Sequence, residues 1–343
     1  MSGVGYVVRA ARPEDLPAFR TLRALAGPGF TSLSISDEAL ESRLGVSGES
    51  FAHAVTAPGE ERYILALEAP GGGEVAGLAQ VKATIGVSQP FFNFRVLRIA
   101  QVSAAARRRH DLDVLMLVNE SAQCSEVGSL FVRSEHRAAG VGRLLAQARY
   151  MMMAAAPQRF GERIVSELRG RVDANGVSPF WEHLGRHFFR MDFEEADRLS
   201  ATTDNQFILD LMPKYPIYVD LLAPEAQAVI GLCHPEGEPA RRLLEKEGFR
   251  YDNLIDIFDA GPLLSAARDT IATRRLAVRW TARTGEPGEK QALLANPDMA
   301  RFRCTRAAAA LGDDGAAVLA PATMQALSLR DGEAVLVRVD DAP

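Results

Sequence analysis

The chain has 343 residues, a length that predicts about two domains, and its 47% hydrophobic and 24% charged residues suffice for a sizeable buried core. A formal net charge of -5 argues against a general binder of nucleic acid or anionic membrane, and no apolar run approaches membrane-spanning length. Cys124, Cys233 and Cys304 lie far apart with no C-x-x-C pair, which argues against a disulfide framework or zinc knuckle and, with no long apolar region near Met1, predicts a cytoplasmic protein.

In chain order, Tyr6 to Ala10 reads as a first strand. Arg12-Pro13-Glu14-Asp15 then opens a helix, since proline and acidic residues suit a first turn, and Gly27-Pro28-Gly29 is its stop signal. Tyr63 to Glu68 and Glu74 to Thr84 are strand-like and flank Pro70-Gly71-Gly72-Gly73, a hairpin turn. A less patterned stretch follows, with Arg107-Arg108-Arg109-His110 as its densest basic cluster. The cluster reads as a solvated loop or helix end, the alternative being a contact to cofactor phosphates.

Residues 126 to 145 are the most informative. Val127, Ser129 and Phe131 share one face of a period-2 strand, with Leu130 and Val132 on the other. Arg137, Gly140 and Gly142 follow in an R-x-x-G-x-G spacing, directly before Leu144, Leu145, Ala148 and Met152, which fit one face of a helix. Glycine has no Cβ, so a bulky anion can approach the backbone there, and the N–H groups and positive dipole end of the helix favour a pyrophosphate. A Walker loop ends in Gly-Lys-Ser/Thr, whereas Arg143 and Leu144 follow Gly142; the dinucleotide pattern G-x-G-x-x-G is absent as well.

Two later segments look alike. Asn175 to Phe193 and Pro239 to Tyr251 each read as a short amphipathic helix closed by glycine, Gly185 or Gly248, and followed by an aromatic strand. Between them, Pro224 to Leu232 reads as a helix ending just before His234-Pro235. His183 and His187 stand at i and i+4, but Gly185 signals a helix end and no third ligand is evident, so no metal site is expected. After Gly261-Pro262 the texture changes to short strands at Leu276 to Trp280, Arg301 to Thr305, Ala316 to Leu319 and Ala334 to Val339, which predict a small β-barrel. The domain division is therefore 1–272 and 273–343.

The strand, glycine loop and helix resemble the acyl-CoA loop of the GCN5-related acyltransferase superfamily. Longer stretches resemble bacterial arginine N-succinyltransferases: Gly29-Phe30-Thr31-Ser32-Leu33, Ser166-Glu167-Leu168-Arg169-Gly170, Ser178-Pro179-Phe180-Trp181-Glu182 with Gly185, and Phe188-Phe189-Arg190-Met191-Asp192-Phe193. Ala196-Asp197, Leu211-Met212-Pro213-Lys214-Tyr215-Pro216-Ile217-Tyr218, Glu225-Ala226-Gln227-Ala228-Val229-Ile230-Gly231, His234-Pro235 and Phe258-Asp259-Ala260-Gly261-Pro262 extend the match over nearly the whole chain. The resemblance implies an α/β fold with a mixed sheet flanked by helices, and the two similar segments suggest partial duplication. It implies transfer of succinyl from succinyl-CoA, a co-substrate rather than a tightly bound cofactor, to the α-amino group of arginine or ornithine in arginine catabolism. It also implies a homodimer or a hetero-oligomer with a related subunit. Three departures concern the site. The family's Glu-Leu-Cys-Thr/Ser-Leu-Phe is here Glu126-Val127-Gly128-Ser129-Leu130-Phe131, its Gly-Asn-Gly is Gly140-Val141-Gly142, and its Gly-Gln-Val-His is Gly231-Leu232-Cys233-His234.

On matching positions, Leu130 contacts succinyl-CoA and His234 is the proton donor; Phe131, Val132, Arg137, Gly140, Val141, Gly142 and Arg143 complete the cofactor loop. A helix C-terminus favours a protonated imidazole, and Pro235 restricts the backbone of His234 to an extended conformation. Arginine recognition needs carboxylates around the guanidinium and donors for the α-carboxylate, for which Glu126, Glu167, Arg169 and Asp192 are candidates. Glu167 and Arg169 share a strand face, which favours a structural ion pair between them over a role in substrate binding. Two other readings stand beside this one: an acyltransferase for another acyl-CoA or amine, and a CoA-binding, non-catalytic subunit of a hetero-oligomer.

Overall fold

The computed structural model describes residues 5–26, 35–138, 140–173, 176–202 and 205–340. The stop signal Gly27-Pro28-Gly29, the matched stretch Gly29 to Leu33 and Asn175 lie outside them, as does the side chain of Asp197. The chain is mixed α/β and folds as two compact units, neither of them continuous in sequence. One comprises Met1–Thr84, Ser125–Ile164 and Ala267–Pro343; the other comprises Ile85–Cys124 and Val165–Ala266.

In the first unit the strands run in the order Ala310–Leu311, Ala316–Leu319, Val278–Thr284, Ala334–Val339, Gln291–Asn296, Arg303–Ala308, Val7–Ala10, Arg62–Glu68, Val75–Lys82 and Ser125–Val132. All neighbours are antiparallel except Val278–Thr284 with Ala316–Leu319. Val7–Ala10 and the hairpin from Arg62 to Lys82 stand where the alternation places them, whereas Gln291–Asn296 has no counterpart in the sequence pattern, because five of its six residues are buried and give no period-2 signal. The strands after residue 272 continue the order set by the N-terminal strands through the pairing of Val7–Ala10 with Arg303–Ala308.

Helices Leu16–Ala26 and Asp37–Ala52 press one apolar stripe each onto this sheet. Phe19 and Leu22 from the first, and Leu40 and Leu44 from the second, form a core with Ile64, Leu78 and Phe131. Each such fully buried side chain contributes roughly 1.5–3 kcal/mol. Ser36 caps the second helix by accepting the N–H of Ala39, and Ser47 Oγ accepts the N–H of Ile64, so polar atoms on the stripe are used to fix the helix on the strand. Arg9 ties strand to helix entry: its guanidinium donates to both oxygens of buried Asp15 at 2.7 and 2.8 Å and to Glu68 at 2.6 Å.

The second unit has an antiparallel order of Pro262–Ala267, Arg250–Asp256, Asn93–Ser103, Arg108–Val118 and Ile217–Tyr218. Asn93 to Val118 is one long hairpin that the sequence did not announce. Its outer faces carry charge pairs, Arg98 to Asp113 and Arg109 to Asp111, in place of an apolar alternation. The basic cluster sits at its tip, where Arg107 adopts a positive φ of 49°. Phe94 and Leu115 point inward onto Phe180, Trp181, Phe189 and Phe258.

The two look-alike segments part company here. Helix Glu238–Lys246, Gly248 at φ 101° and strand Arg250–Asp256 follow the expected course. Gly185, by contrast, does not end a helix. A wide turn over Trp181–Gly185 continues into helix Arg186–Phe189, which with the turn at left-handed Arg190 stands where a strand was expected, and another helix, Phe193–Thr202, follows. Glycine is required at 185 by packing, since a Cβ there would lie 2.2 Å from the Trp181 ring. No cluster of three or more metal-ligating side chains occurs among the described residues, and none of their helices is long and apolar enough to cross a membrane.

Candidate active site

Strand Ser125–Val132 is irregular at the position that matters. Gln80 opposes Gly128 and Leu78 opposes Phe131, so Ser129 and Leu130 together face a single residue, Ala79. This is a β-bulge, and Ser129 accommodates it with φ 52°, a value that a non-glycine residue takes at a cost of about 1 kcal/mol or more. The bulge breaks the simple alternation read from the sequence: Phe131 and Val132 are both buried. A bulge of this kind locally disrupts the ladder and bends the strand.

The strand ends at Val132, whose carbonyl accepts from Arg137 Nε at 2.9 Å, while the Arg137 guanidinium lies 5.8 Å from the centroid of the Phe131 ring. Arg137 therefore braces the loop onto the strand. Gly140 is the N-cap of helix Val141–Ala155, in the left-handed region at φ 89°, and its carbonyl accepts the N–H of Leu144 at 2.8 Å. A Cβ placed at Gly140 or Gly142 would meet no atom within 4 Å, so both glycines border open space at the head of the helix. Arg143 is exposed beside them, and Leu144, Leu145, Ala148 and Met152 are buried as the spacing predicts. The first-turn N–H groups of a fifteen-residue helix, a glycine surface and an exposed arginine are together the kind of surface that can accept an anion.

His234 belongs to the second unit. The helix expected over Pro224 to Leu232 is shorter, Pro224–Gln227 followed by turns, so no helix dipole ends at His234. Instead His234 caps the next element: its Nδ1 accepts the N–H of Glu236 at 3.3 Å at the start of the 3-10 turn Pro235–Gly237. The Glu236 carboxylate lies 3.9 Å from the same nitrogen. Neutral imidazole thus receives an N–H at Nδ1 and protonated imidazole presents Nδ1–H to Glu236; in both states Nε2 carries a hydrogen. The backbone is extended at φ -55°, ψ 143°, as a residue before proline requires.

The structure joins His234 to Arg169, one of the predicted substrate residues, through the backbone. The His234 N–H donates to the Arg169 carbonyl at 2.8 Å, and Gly170 pairs with Cys233 in an antiparallel bridge. Beneath this crossing lies a pair of carboxyls that the sequence pattern does not single out. Asp259, 6% exposed, accepts the N–H of Gly170 at 2.7 Å and of Gly261 at 2.8 Å. Asp256 accepts the N–H groups of Phe258 and Asp259 at 2.7 and 2.8 Å. Burial, with the neighbouring charges of Asp259 and Glu167, pushes the Asp256 carboxyl well above the ordinary range, so Asp256 keeps a proton and donates it to Asp259. The only sequence signal for this is Asp-x-x-Asp before Gly261-Pro262, which carries no chemistry until the two N–H donors are known.

The acceptor candidates are not equivalent. Glu126 is paired with Lys82 at 2.6 Å and Asp192 with Arg186 at 2.9 Å. Glu167 accepts from Asn93 Nδ2 at 3.0 Å and adjoins the Asp256–Asp259 pair, and Arg169 is exposed beyond the end of strand Arg163–Glu167. Among the described residues no ion pair joins Glu167 to Arg169.

The family model described as "Arginine N-succinyltransferase beta subunit" matches residues 6–273, and that of its C-terminal domain matches residues 274–337. The chain is 39% identical over 339 residues to a Salmonella schwarzengrund (strain CVM19633) protein named arginine N-succinyltransferase, covering 97% of each chain. It is 40% identical over 300 residues, 87% of each chain, to one of the same name from Enterobacter sp. (strain 638). Its structure is similar to that of arginine/ornithine succinyltransferase subunit AI from Pseudomonas aeruginosa, with a TM-score of 0.88, 31% identity, and coverage of 99% of this chain and 100% of that one.

Proposed function

This chain belongs to the arginine N-succinyltransferase family, and from that premise we propose that it transfers the succinyl group of succinyl-CoA to the α-amino nitrogen of arginine, with ornithine as a second acceptor. The observation that carries the reading is the bulge at Ser129–Leu130 leading into left-handed Gly140 and its helix. The N–H groups of Gly142 and Arg143 take the CoA diphosphate, with the loop from Leu130 to Val141 shaping its approach, as in the GCN5-related superfamily. Succinyl-CoA is then a co-substrate that leaves as CoA.

The reaction needs an uncharged amine, a polarised carbonyl and a proton for sulfur. An α-amino group titrates near or above about 8, so at neutral pH most of it is protonated and a base or water relay must strip its proton. The nitrogen adds to the thioester carbon, and the carbonyl oxygen becomes an oxyanion that accepts from the N–H at Leu130; one such donor lowers the barrier by roughly 3 kcal/mol. The carbon–sulfur bond then breaks as the imidazolium of His234 gives its Nε2 proton to the departing thiolate and becomes neutral imidazole, while the ammonium nitrogen of the adduct gives its proton to water, from which His234 is protonated again. Glu167 and Arg169 are the acceptor residues we favour, supported by their place beside the segment that carries His234.

We read residues 273–343 as a small β-rich domain closed toward a barrel; its apolar cluster, from Trp280 to Val337, is drawn wholly from that segment. The matched family model and the Pseudomonas protein are both described as subunits, which supports a related partner or a second copy in the cytoplasm. The test is thiol release from succinyl-CoA by the purified chain with arginine, ornithine, lysine and no acceptor. Release dependent on arginine or ornithine is expected. Release only with another acyl-CoA overturns the donor, and donor binding without release makes the chain a non-catalytic partner.

A further inference from the structure

The hairpin from Asn93 to Val118 is held in the second unit's sheet only at its base. Asn93 to Arg95 pairs with strand Arg250–Asp256, and Val114 and Leu115 pair with Ile217–Tyr218. Beyond these residues, among those described, its two strands pair only with each other, and every residue from Leu97 to Asp111 is exposed. A two-stranded ribbon is marginal in water unless one of its faces is covered.

The cross-strand register sorts the side chains. Val96 with Leu115, Arg98 with Asp113, and Val102 with Arg109 lie on one face; Arg95 with Met116, Leu97 with Val114, Ile99 with Leu112, and Ser103 with Arg108 lie on the other. The first face changes character where the core ends. Phe94, Val96 and Leu115 join the aromatic core, and further out the ion pairs Arg98–Asp113 and Arg109–Asp111 suit it to solvent. The second face stays apolar: Leu97 is 41% and Ile99 37% exposed beside half-buried Leu112 and Met116, and Tyr218, opposite Val114 on the next strand, is 38% exposed. Adjoining apolar side chains across three strands, on an arm whose other face is charge-paired, mark an interaction surface.

The charges at the two ends of this face identify what covers it. Ile99 and Leu112 stand midway, with Arg95 and Ser103 four residues to either side of Ile99, and Met116 and Arg108 four to either side of Leu112, about 14 Å each way. At the base the Arg95 guanidinium meets two carboxylates, Glu120 at 2.6 Å and Asp252 at 3.8 Å, an excess of negative charge. At the tip stands exposed Arg108. A copy turned about a two-fold axis through the Ile99–Leu112 pair lays its apolar face on this one and its Arg108 over these carboxylates, and symmetry repeats the match at the other end.

We propose that the apolar face of this arm, centred on Ile99 and Leu112, packs antiparallel on the same face of a second copy of the chain as the core of a two-fold homodimer. The inference goes beyond the succinyl-transfer reading and does not depend on it, since neither the donor loop nor His234 belongs to the arm.

The test is sedimentation of the intact chain, which is expected to give twice the chain mass at micromolar concentration. Ile99→Glu sets two carboxylates against each other at the axis and raises the dissociation constant by about 100-fold or more; Leu97→Ala, counted twice by symmetry, raises it by about 10-fold. Arg108→Glu and Asp252→Lys each weaken the dimer several-fold, and the two together recover most of the loss, because tip and base exchange signs. A defect of folding would not cancel in this way. A short bismaleimide joins Ile99→Cys chains in pairs but leaves Val102→Cys chains, altered on the opposite face, unjoined; Cys124, Cys233 and Cys304 are buried. This readout decides the matter where Ile99→Glu fails to fold. A monomeric intact chain, a dimer unaffected by Ile99→Glu, equal joining through Val102→Cys, or association only with a different subunit overturns the proposal. Thiol release on the same samples keeps the two readings apart: a dimer without turnover refutes succinyl transfer alone, and turnover by a monomer refutes the dimer alone.

Discussion

The donor loop and the surroundings of His234 are built on opposite plans. Leu130 to Arg143 is one short stretch in which, on our proposal, backbone groups and absent side chains bind the donor, and its fixed points are a bulge, a left-handed glycine and a helix start. The surroundings of His234 gather Arg169, Gly170, Asp256, Asp259 and Gly261 from distant parts of the chain, and each contact uses a particular atom. A backbone cradle is indifferent to the identity of the Val141 side chain. The proton donor we propose, His234, tolerates nothing comparable, so the largest expected effect falls there. His234→Ala should lower kcat by about 10²–10⁴-fold while leaving KM for succinyl-CoA within a few-fold, measured by thiol release. Full turnover in that variant would remove His234 from the mechanism and leave the loop as the whole of the functional site.

The next effect separates holding from reacting. Asp259→Ala leaves the N–H groups of Gly170 and Gly261 without acceptors, each costing about 1–3 kcal/mol, and should lower Tm by several degrees. It should also reduce turnover, because the crossing that carries His234 loosens. Asp256 moves the other way. Its carboxyl is raised above the unfolded value of about 3.9, so the native state holds a proton that the unfolded chain releases. The stability this contributes is complete below that unfolded value and is lost as pH rises through the raised native one. Asp256→Asn keeps the donor to Asp259 and removes the titration, so it should be more stable than the unaltered chain at pH 8 and flatten the decline in Tm between pH 5 and 8. An unchanged pH profile would mean that Asp256 is ionised in the fold.

The same contrast explains what the sequence made legible. The glycine loop can be read because its physics is local: R-x-x-G-x-G before an apolar helix stripe already specifies where N–H groups and open space occur. The bulge cannot, since Ser129 and Leu130 look like ordinary alternation until the strand carrying Gln80 is laid beside them. The long hairpin escapes notice because Arg98, Asp113, Arg109 and Asp111 occupy positions where an alternating apolar face would have revealed a strand. Gly185 misleads for a related reason: glycine ends many helices, but here it makes room for the Trp181 ring, a contact that local pattern does not contain. His234 is legible through its matching motif. Its hydrogen-bonding state, set by Glu236 and not by a helix end, is a property of the folded chain alone.

The smallest expected effects lie in the loop itself and divide its two glycines. Gly140 sits at φ 89° with free space where a Cβ would project, so Gly140→Ala carries backbone strain alone, about 1–2 kcal/mol, and should lower Tm by a few degrees. Gly142 lies inside the helix with the same free space, and alanine there favours helix by up to about 1 kcal/mol. Stability should therefore rise slightly in Gly142→Ala. Its Cβ nevertheless projects where a diphosphate must approach the first-turn N–H groups, so KM for succinyl-CoA should rise several-fold while KM for arginine stays constant. A more stable Gly142→Ala enzyme with an unaltered donor KM would show that the diphosphate is held elsewhere, and the backbone half of the comparison would fall with it.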